Sequence, residues 1–225
     1  MNRLIKHWYE IEVYIAGFYV LLLVMGSWSL LQKTLLLGLV FIHLHFFEEF
    51  GFPGGFAWGG IKVEMGHVSA DARLWPLNQL SSLWGNEWFA IIVYLLPLFF
   101  PQMRWLVLGA IIFAYFEFLM HVVIFNLGLH SWYNPGSLTA VFGLTLSSSW
   151  GLWQLRTQNL FNWKDLIISL LWIFINYWIA FRSPAFKFFN NKKKFTFSRQ
   201  DVLKSDKYMQ KFGVTVDDFK HLNRD

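Results

Sequence analysis

Two pairs of ionisable residues lie within apolar stretches of the sequence, and the members of each pair are four positions apart. His45 and Glu49 lie in FIHLHFFEEFGFPGGF, and Glu117 and His121 lie in FEFLMH. Residues four apart share one face of an α-helix, so each pair can present an imidazole beside a carboxylate. The chain has no Cys, so a metal would have to use nitrogen and oxygen ligands. Such ligands suit Zn²⁺, Fe²⁺ or Mn²⁺ without choosing among them.

Further polar residues accompany these pairs, and each suggests a role. Asn86 directly precedes Glu87, Asn126 follows His121 closely, and Tyr133 opens a YNPG segment whose proline suits the start of a helix. Zinc is the first metal expected, with iron or manganese as alternatives. The expected metal ligands are His45, Glu49, Glu87, Glu117 and His121. The expected catalytic residues are Glu48 as general base and Asn86, Asn126 and Tyr133 as groups that orient substrate or stabilise an oxyanion.

A metal would also account for the number of carboxylates in this apolar sequence. Ionisable side chains within membrane spans are costly unless they are paired or face water, so they generally mark function. Neighbouring carboxylates repel each other, whereas one divalent cation offsets two of their charges. If three protein groups hold Zn²⁺, a bound water is acidified and a nearby carboxylate can take its proton. The expected chemistry is hydrolysis.

The elements that must position these residues are membrane-spanning helices. The chain is 56% hydrophobic and 15% charged, and its mean hydropathy is +0.39. Soluble domains are about half apolar and about a quarter charged. The sequence therefore predicts an all-α bundle of about six transmembrane helices. Apolar runs long enough to cross the bilayer occur at 11–31, 34–50, 87–101, 105–127, 136–155 and 164–181.

The order of these spans brings the polar residues to one side. The end of the second span, the start of the third, the second half of the fourth and the start of the fifth share a leaflet, whichever way the chain is inserted. We therefore expect the His and Glu side chains to form one site rather than several.

The chain is predicted to consist of a membrane domain, residues 1–181, and a basic tail, residues 182–225. The tail holds 11 Lys and Arg against 5 Asp, whereas the preceding part holds 8 against 9 acidic residues. Cytoplasmic flanks are rich in positive charge, so both termini are expected in the cytoplasm. The tail is expected to meet membrane lipid rather than nucleic acid. Ser198 as a cap and Gly213 as a stop predict two short amphipathic helices there.

Residues 51–86 fit neither a span nor an ordinary polar loop. The stretch GFPGGFAWGG is too rich in glycine to favour a helix. An interfacial segment or lid is expected, and an ordered connection packed on the bundle is the alternative. His43 faces away from His45 on a helix and is expected to be structural, while Glu64, His67 and His221 are expected to be solvated or interfacial.

The motifs together resemble the HXXEE-domain integral membrane proteins, because residues 45–49 read HFFEE. The likeness continues with FPGGF at 52–56, Asn86 with Glu87, His121 and YNPG at 133–136. It covers about residues 35–145. The resemblance implies a small helical membrane domain, suspected to be enzymatic because its recurring residues are His, Glu and Asn, and it names no substrate.

The leading hypothesis is a metal-dependent hydrolase that acts on a lipid or another amphiphile reached from the cytoplasmic leaflet. A carboxylate-bridged di-iron lipid oxidase is one alternative, although the paired Glu-x-x-His motifs of that class are absent. A proton or cation relay in a transporter is another. A structural membrane protein is the fourth. No oligomeric state is predicted.

Overall fold

A computed structural model describes residues 2–160 and 162–223 of the chain. These residues form a helical bundle, which confirms the predicted all-α class. Met1, Phe161, Arg224 and Asp225, which belong to the predicted domains, lie outside the described residues. The helices are α1 (Asn2–Lys6), α2 (Trp8–Met25), α3 (Leu30–Gly51), α4 (Phe56–Met65), α5 (Gln79–Trp88, continued by Phe89–Leu95 and Leu96–Phe99), α6 (Arg104–Gly128), α7 (Thr139–Thr145, continued by Leu146–Thr157), α8 (Trp163–Phe181), α9 (Pro184–Asn190), α10 (Arg199–Leu203) and α11 (Asp206–Met209). Single 3₁₀ turns occur at Ala72–Leu74, Lys193–Phe195, Gln210–Phe212 and Val216–Asp218.

Five helical segments of the described chain are long and apolar enough to cross a membrane: α2, α3, α6 and the segments that contain α5 and α8. The remaining span expected from the sequence, 136–155, corresponds to α7. This helix is slightly longer than α2, but its serines and Gln154 make it less apolar. It packs against α3 and α6 as part of the bundle.

Helix α3 forms the centre of the bundle. Its first turn is fixed by a reciprocal pair of hydrogen bonds between Ser29 and Gln32, which satisfies free N–H groups at the helix start. Leu36, Leu39 and Ile42 are fully buried along its length. Helix α2 packs one face on α3 and leaves residues such as Tyr14, which is 79% exposed in the protein alone, for the lipid.

Four helices of the bundle contain a π-helical segment. The segments are Phe47–Gly51 in α3, Phe89–Leu95 in α5, Leu119–Ile124 in α6 and Thr139–Thr145 in α7. A π-helical turn inserts an extra residue and changes which side chains face a given direction, and it is common at functional sites. Three of these segments contain or adjoin the predicted site residues.

The glycine-rich stretch after α3 contains a helix, so the expectation that it could not be helical is wrong. Gly54 and Gly55 have φ angles of 70° and 118°, which allow the chain to turn before α4 begins at Phe56. Trp58 and Ile61 of α4 are buried. The segment is therefore an ordered connection packed on the bundle, which was the alternative expectation.

The C-terminal residues fold back on the end of the bundle where the chain begins. Asp201 accepts hydrogen bonds from Tyr9 at 2.9 Å and from Gln79 at 2.9 Å. Ser205 donates to the carbonyl of Gly55, and Lys204 donates to the carbonyl of Phe50 at 2.8 Å. Both ends of the described chain thus lie at one end of the bundle.

Candidate metal centre

Helices α3 and α6 bring two imidazoles and two carboxylates together inside the bundle. His121 Nε2 is 3.2 Å from Glu49 Oε1 and 3.5 Å from Glu117 Oε2. His45 Nε2 is 3.6 Å from Glu49 Oε1 and 3.6 Å from Glu117 Oε2. His45 and His121 are 2% and 1% exposed, and their rings stand nearly perpendicular. We call these four residues the His/Glu cluster.

The spacing within the His/Glu cluster fits a bound divalent metal. Zinc bonds of about 2.0–2.2 Å in tetrahedral geometry place neighbouring ligand atoms about 3.3 Å apart. The four nitrogen–oxygen separations of 3.2–3.6 Å lie close to this value. Ligand atoms of His45, Glu117 and His121 all lie within 4.8 Å of one another. These residues could hold a metal ion, which agrees with the sequence-based expectation at this level.

The orientation of His45 is set by Thr139 at the start of α7. Thr139 Oγ1 lies 2.6 Å from Glu48 Oε2 and 3.2 Å from the carbonyl of Gly136, and both of these groups accept hydrogen bonds. The single proton of the hydroxyl is therefore engaged by these groups, and the hydroxyl oxygen accepts a hydrogen bond from His45 Nδ1, 2.9 Å away. His45 therefore donates from Nδ1, and its Nε2 points into the His/Glu cluster.

Asn134 orients His121 in the same way. The Asn134 amide donates to the carbonyl of His121 at 2.6 Å and to Asn126 Oδ1 at 2.8 Å, which fixes its nitrogen. Its oxygen accepts from His121 Nδ1 at 2.7 Å. Nε2 of His121 therefore faces the carboxylates. In both imidazoles Nδ1 is bonded to an oxygen, so Nε2 is the nitrogen available to a metal.

Glu48, the predicted general base, caps the start of α7 in the structure. Its Oε1 accepts from the Tyr133 hydroxyl at 3.0 Å and from the Leu138 N–H at 3.1 Å, and its Oε2 accepts from the N–H and hydroxyl of Thr139. A carboxylate has about four acceptor positions, and these four bonds occupy them. The geometry thus assigns Glu48 to positioning the start of α7 and, through Thr139, His45.

Tyr133 and Asn126 hold the loop before α7 rather than facing the His/Glu cluster. Burial, and then the neighbouring Glu48, raise the pKa of the Tyr133 hydroxyl, so this group stays protonated and donates to Glu48. Asn126 donates to the carbonyl of Trp132 at 3.2 Å while it accepts from Asn134. Tyr133 contacts Glu48, and Asn126 contacts Asn134. Each residue therefore touches a group that supports the His/Glu cluster, whereas the sequence suggested direct contact with substrate.

Glu87, a predicted ligand, lies in a different cluster. It is grouped with Glu12 and His43, whose ligand atoms also lie within 4.8 Å of one another. His43 Nδ1 is 2.5 Å from Glu12 Oε2 and 3.9 Å from Glu87 Oε1. Because His43 and His45 are two residues apart, the two clusters lie on different faces of α3. His43 is thus paired with carboxylates from α2 and α5.

The His/Glu cluster forms one wall of an internal cavity of about 80 Å³. Asn86, a predicted site residue, lies on another wall together with Ser82. Glu64, expected to be solvated or interfacial, is exposed yet also borders the cavity. The other lining residues are mainly aromatic.

Sequence reasoning gave no site role to five residues that the structure brings to these clusters or to the cavity: Glu12, Ser82, Asn134, Gly136 and Thr139. Asn134 and Gly136 belong to the recognised YNPG motif, and Thr139 follows it by three residues, so all three could have been included. Glu12 is a charged residue near the start of an apolar run, which is a usable signal. Ser82 had no signal, since it lay outside the predicted limits of its helix.

The fold and site define an all-helical membrane protein with a buried cluster of histidines and carboxylates. Residues 35–151, just over half of the chain, match the family described as a protein of unknown function with HXXEE motif. The chain belongs to this HXXEE family, as its motifs indicated. No curated protein and no solved structure matches the chain. The family match includes every residue of the His/Glu cluster and ends before α8 and the C-terminal segment.

Proposed function

We propose that the protein is a membrane-embedded, metal-dependent hydrolase whose substrate is a lipid or another amphiphile reached from the cytoplasmic leaflet. The observation that carries the proposal is the orientation of the two imidazoles. Thr139 and Asn134 each accept a hydrogen bond from Nδ1, so both Nε2 atoms face Glu49 and Glu117. Imidazoles oriented by oxygen acceptors in this manner are typical of metal ligands.

In this proposal His45, His121 and Glu117 hold the metal, with zinc expected first and iron or manganese as alternatives. Three protein ligands and one open position are the usual arrangement of a catalytic zinc site. Bound Zn²⁺ would supply an acidified water, whose pKa falls from about 15.7 to about 7. This assignment leaves Glu49 beside both imidazoles and on the cavity wall, free to act as the general base.

The reaction that these residues support is hydrolysis of an acyl ester or amide. Glu49 takes a proton from the attacking water as the water oxygen bonds to the acyl carbon. The bond from that carbon to the leaving oxygen or nitrogen breaks, and Glu49 returns the proton to the leaving atom. Burial of the cluster excludes competing bulk water and strengthens these electrostatic interactions.

The other functions suggested by the sequence have less support from the geometry. A di-iron centre needs about four carboxylates around two metals, but Glu48 is occupied by four hydrogen bonds and Glu87 lies in the second cluster. A transport pathway would need polar groups through the depth of the bundle, whereas both clusters lie near the same end.

Metal analysis of the purified full chain tests the first step. We expect about one zinc per chain in the wild type and strong loss of zinc in His45→Ala and His121→Ala. His67→Ala removes an exposed histidine outside the cluster and should keep the metal. Glu49→Gln should keep most of the metal but lose hydrolysis of a lipid ester. Absence of any bound transition metal from carefully prepared wild type would contradict the proposal.

A further inference from the structure

The cavity beside the His/Glu cluster has two chemically different parts. Asn86 and Ser82 stand four residues apart on α5, and both line the cavity. Most of the remaining wall is aromatic. The aromatic contribution includes Phe46, Phe89, Phe113, Phe116 and Phe181. The space of about 80 Å³ is well above the roughly 10–15 Å³ that one water needs, so it can admit a polar group with part of an apolar chain.

The hydroxyl of Ser82 is the unusual feature of this wall. Ser82 is 1% exposed, and its Oγ has no hydrogen-bond partner among the described residues. A buried helical serine commonly donates to a carbonyl one turn earlier, as Ser147 does to Gly143 at 2.8 Å. Leaving such a group unpaired is costly. Rotation about the Cα–Cβ bond of Ser82 would turn this hydroxyl toward a ligand in the cavity, which would then supply the missing partner.

The charges around the cavity restrict the kind of ligand. Among the described lining residues, Glu49, Glu64 and Glu117 are acidic, and none is Lys or Arg. A divalent metal would be offset by two of these carboxylates, which leaves no cation on the described lining to bind a phosphate. At low dielectric an anionic headgroup would be repelled. Hydroxyl and amide groups such as those of Ser82 and Asn86 instead suit neutral donors and acceptors.

We propose that Ser82 and Asn86 bind the uncharged polar group of a neutral amphiphile, such as a monoacylglycerol, with its chain against the phenylalanine wall. This inference rests on the proposed function, since it names the substrate class of the same cavity. It adds Ser82 to the binding residues, and it excludes phosphate-bearing lipids as the preferred ligand.

Photoaffinity labelling of the full chain in detergent micelles tests this proposal. The probe is a monoacylglycerol with a diazirine in its acyl chain, and the competitors are mono-oleoylglycerol and oleoyl lysophosphatidate, which share a chain and differ by a phosphate. We expect labelling of cavity peptides and at least about tenfold better competition by the neutral lipid. Ser82→Ala and Asn86→Ala should each weaken its competition about three- to tenfold.

Ser147→Ala is the matched control, because it removes a buried serine hydroxyl that already has a partner. Glu64→Lys, at an exposed position, should improve competition by lysophosphatidate. Equal or better competition by lysophosphatidate in the wild type would overturn the proposal, as would unchanged competition in both α5 variants. Labelling is measured with and without added zinc. If the chain binds no metal, the hydrolase proposal is contradicted, whereas the competition between the two lipids still tests the binding proposal.

Discussion

Two oxygen acceptors, Thr139 Oγ1 and Asn134 Oδ1, determine which nitrogen of each imidazole faces the carboxylates. Thr139 is itself held by Glu48, and Asn134 by Asn126. Neither acceptor would be a metal ligand, yet each fixes the orientation of one. The residues of the HXXEE motif thus divide their roles: His45 and Glu49 face the cavity, while Glu48 supports His45 through Thr139.

Thr139→Val tests this support at His45. The change keeps the shape of the side chain but removes the acceptor for Nδ1. We expect zinc affinity to fall about 10- to 100-fold with the fold retained, as is typical when a group behind a metal ligand is lost. Competition with a chelator gives the affinity. Thr145→Val, on the same helix, removes a hydroxyl that bonds only backbone and should leave the affinity near wild type. Equal affinities in the two variants would contradict the role of Thr139.

Gly136→Ala tests how closely the backbone approaches both imidazoles. A Cβ at Gly136 would lie 2.3 Å from His121 Cε1 and 2.8 Å from His45 Cε1, and the residue has φ of 101°. We expect loss of bound metal together with a lower melting temperature. Gly66→Ala separates the two causes, since Gly66 also has a positive φ but nothing within 4 Å of a Cβ. It should lower stability while it keeps the metal; metal retained in Gly136→Ala would argue against the contact.

Much of the His/Glu cluster could be predicted from the sequence, because His45 with Glu49 and Glu117 with His121 follow helical spacing. The position of Glu87 could not, because helical spacing places it near the correct leaflet but does not say which face of α3 it meets. The role of Glu48 also depends on where the start of α7 docks. That docking is a tertiary contact between residues about ninety positions apart.

The C-terminal segment holds the loops that carry the site. Tyr208 is fully buried and its hydroxyl donates to the carbonyl of Tyr133 at 3.1 Å, while Lys204 donates to the carbonyl of Phe50, next to Glu49. Burial, and then Glu48, raise the pKa of Tyr208 to about 12, so its hydroxyl remains a donor at neutral pH. Residues beyond the family match therefore secure residues within it.

Tyr208→Phe should loosen the loop that contains Tyr133. Removing one buried hydrogen bond is expected to lower the free energy of unfolding by about 1 kcal/mol. Amide hydrogen exchange should speed up at residues 130–134, and a thermal melt gives the stability change. Tyr14→Phe, at an exposed position on α2, is the control and should change neither. Unchanged exchange at this loop would remove the proposed link from the C-terminal segment to the site.

The spans were easier to predict than their limits. Long apolar runs mark α2, α3, α6 and α8 directly, since crossing a bilayer demands them. Helix α5 begins at Gln79, eight residues before the predicted start, because Asn78 caps it through Ser81 in a sequence that is only moderately apolar. Helix α4 was missed because glycine content was weighed more heavily than the apolar face formed by Trp58 and Ile61.

At the scale of the whole molecule, the side of the membrane that carries the site remains a prediction from charge. From the basic residues of the tail we expect the site end of the bundle to face the cytoplasm. The close packing of the C-terminal segment on Tyr9 and Gln79 means that the two termini share one side. The last turn of α7 lies at the opposite end of the bundle.

Single-cysteine labelling tests this orientation, because the natural chain has no Cys. Lys193→Cys and Gln158→Cys place thiols at exposed positions at opposite ends of the bundle. An impermeant maleimide applied to intact cells should label Cys at position 158 only, and should label position 193 after permeabilisation. The reverse pattern would show that the positive residues do not determine the orientation of this protein.

The most direct test of the metal centre is zinc X-ray absorption spectroscopy on the purified, zinc-loaded full chain. We predict a first shell of two imidazole nitrogens and one or two carboxylate oxygens at about 2.0–2.1 Å. His45→Ala and His121→Ala should each remove one imidazole from that shell or abolish binding. A zinc shell without imidazole, or one unchanged in both variants, would contradict a metal centre formed by His45, His121 and Glu117.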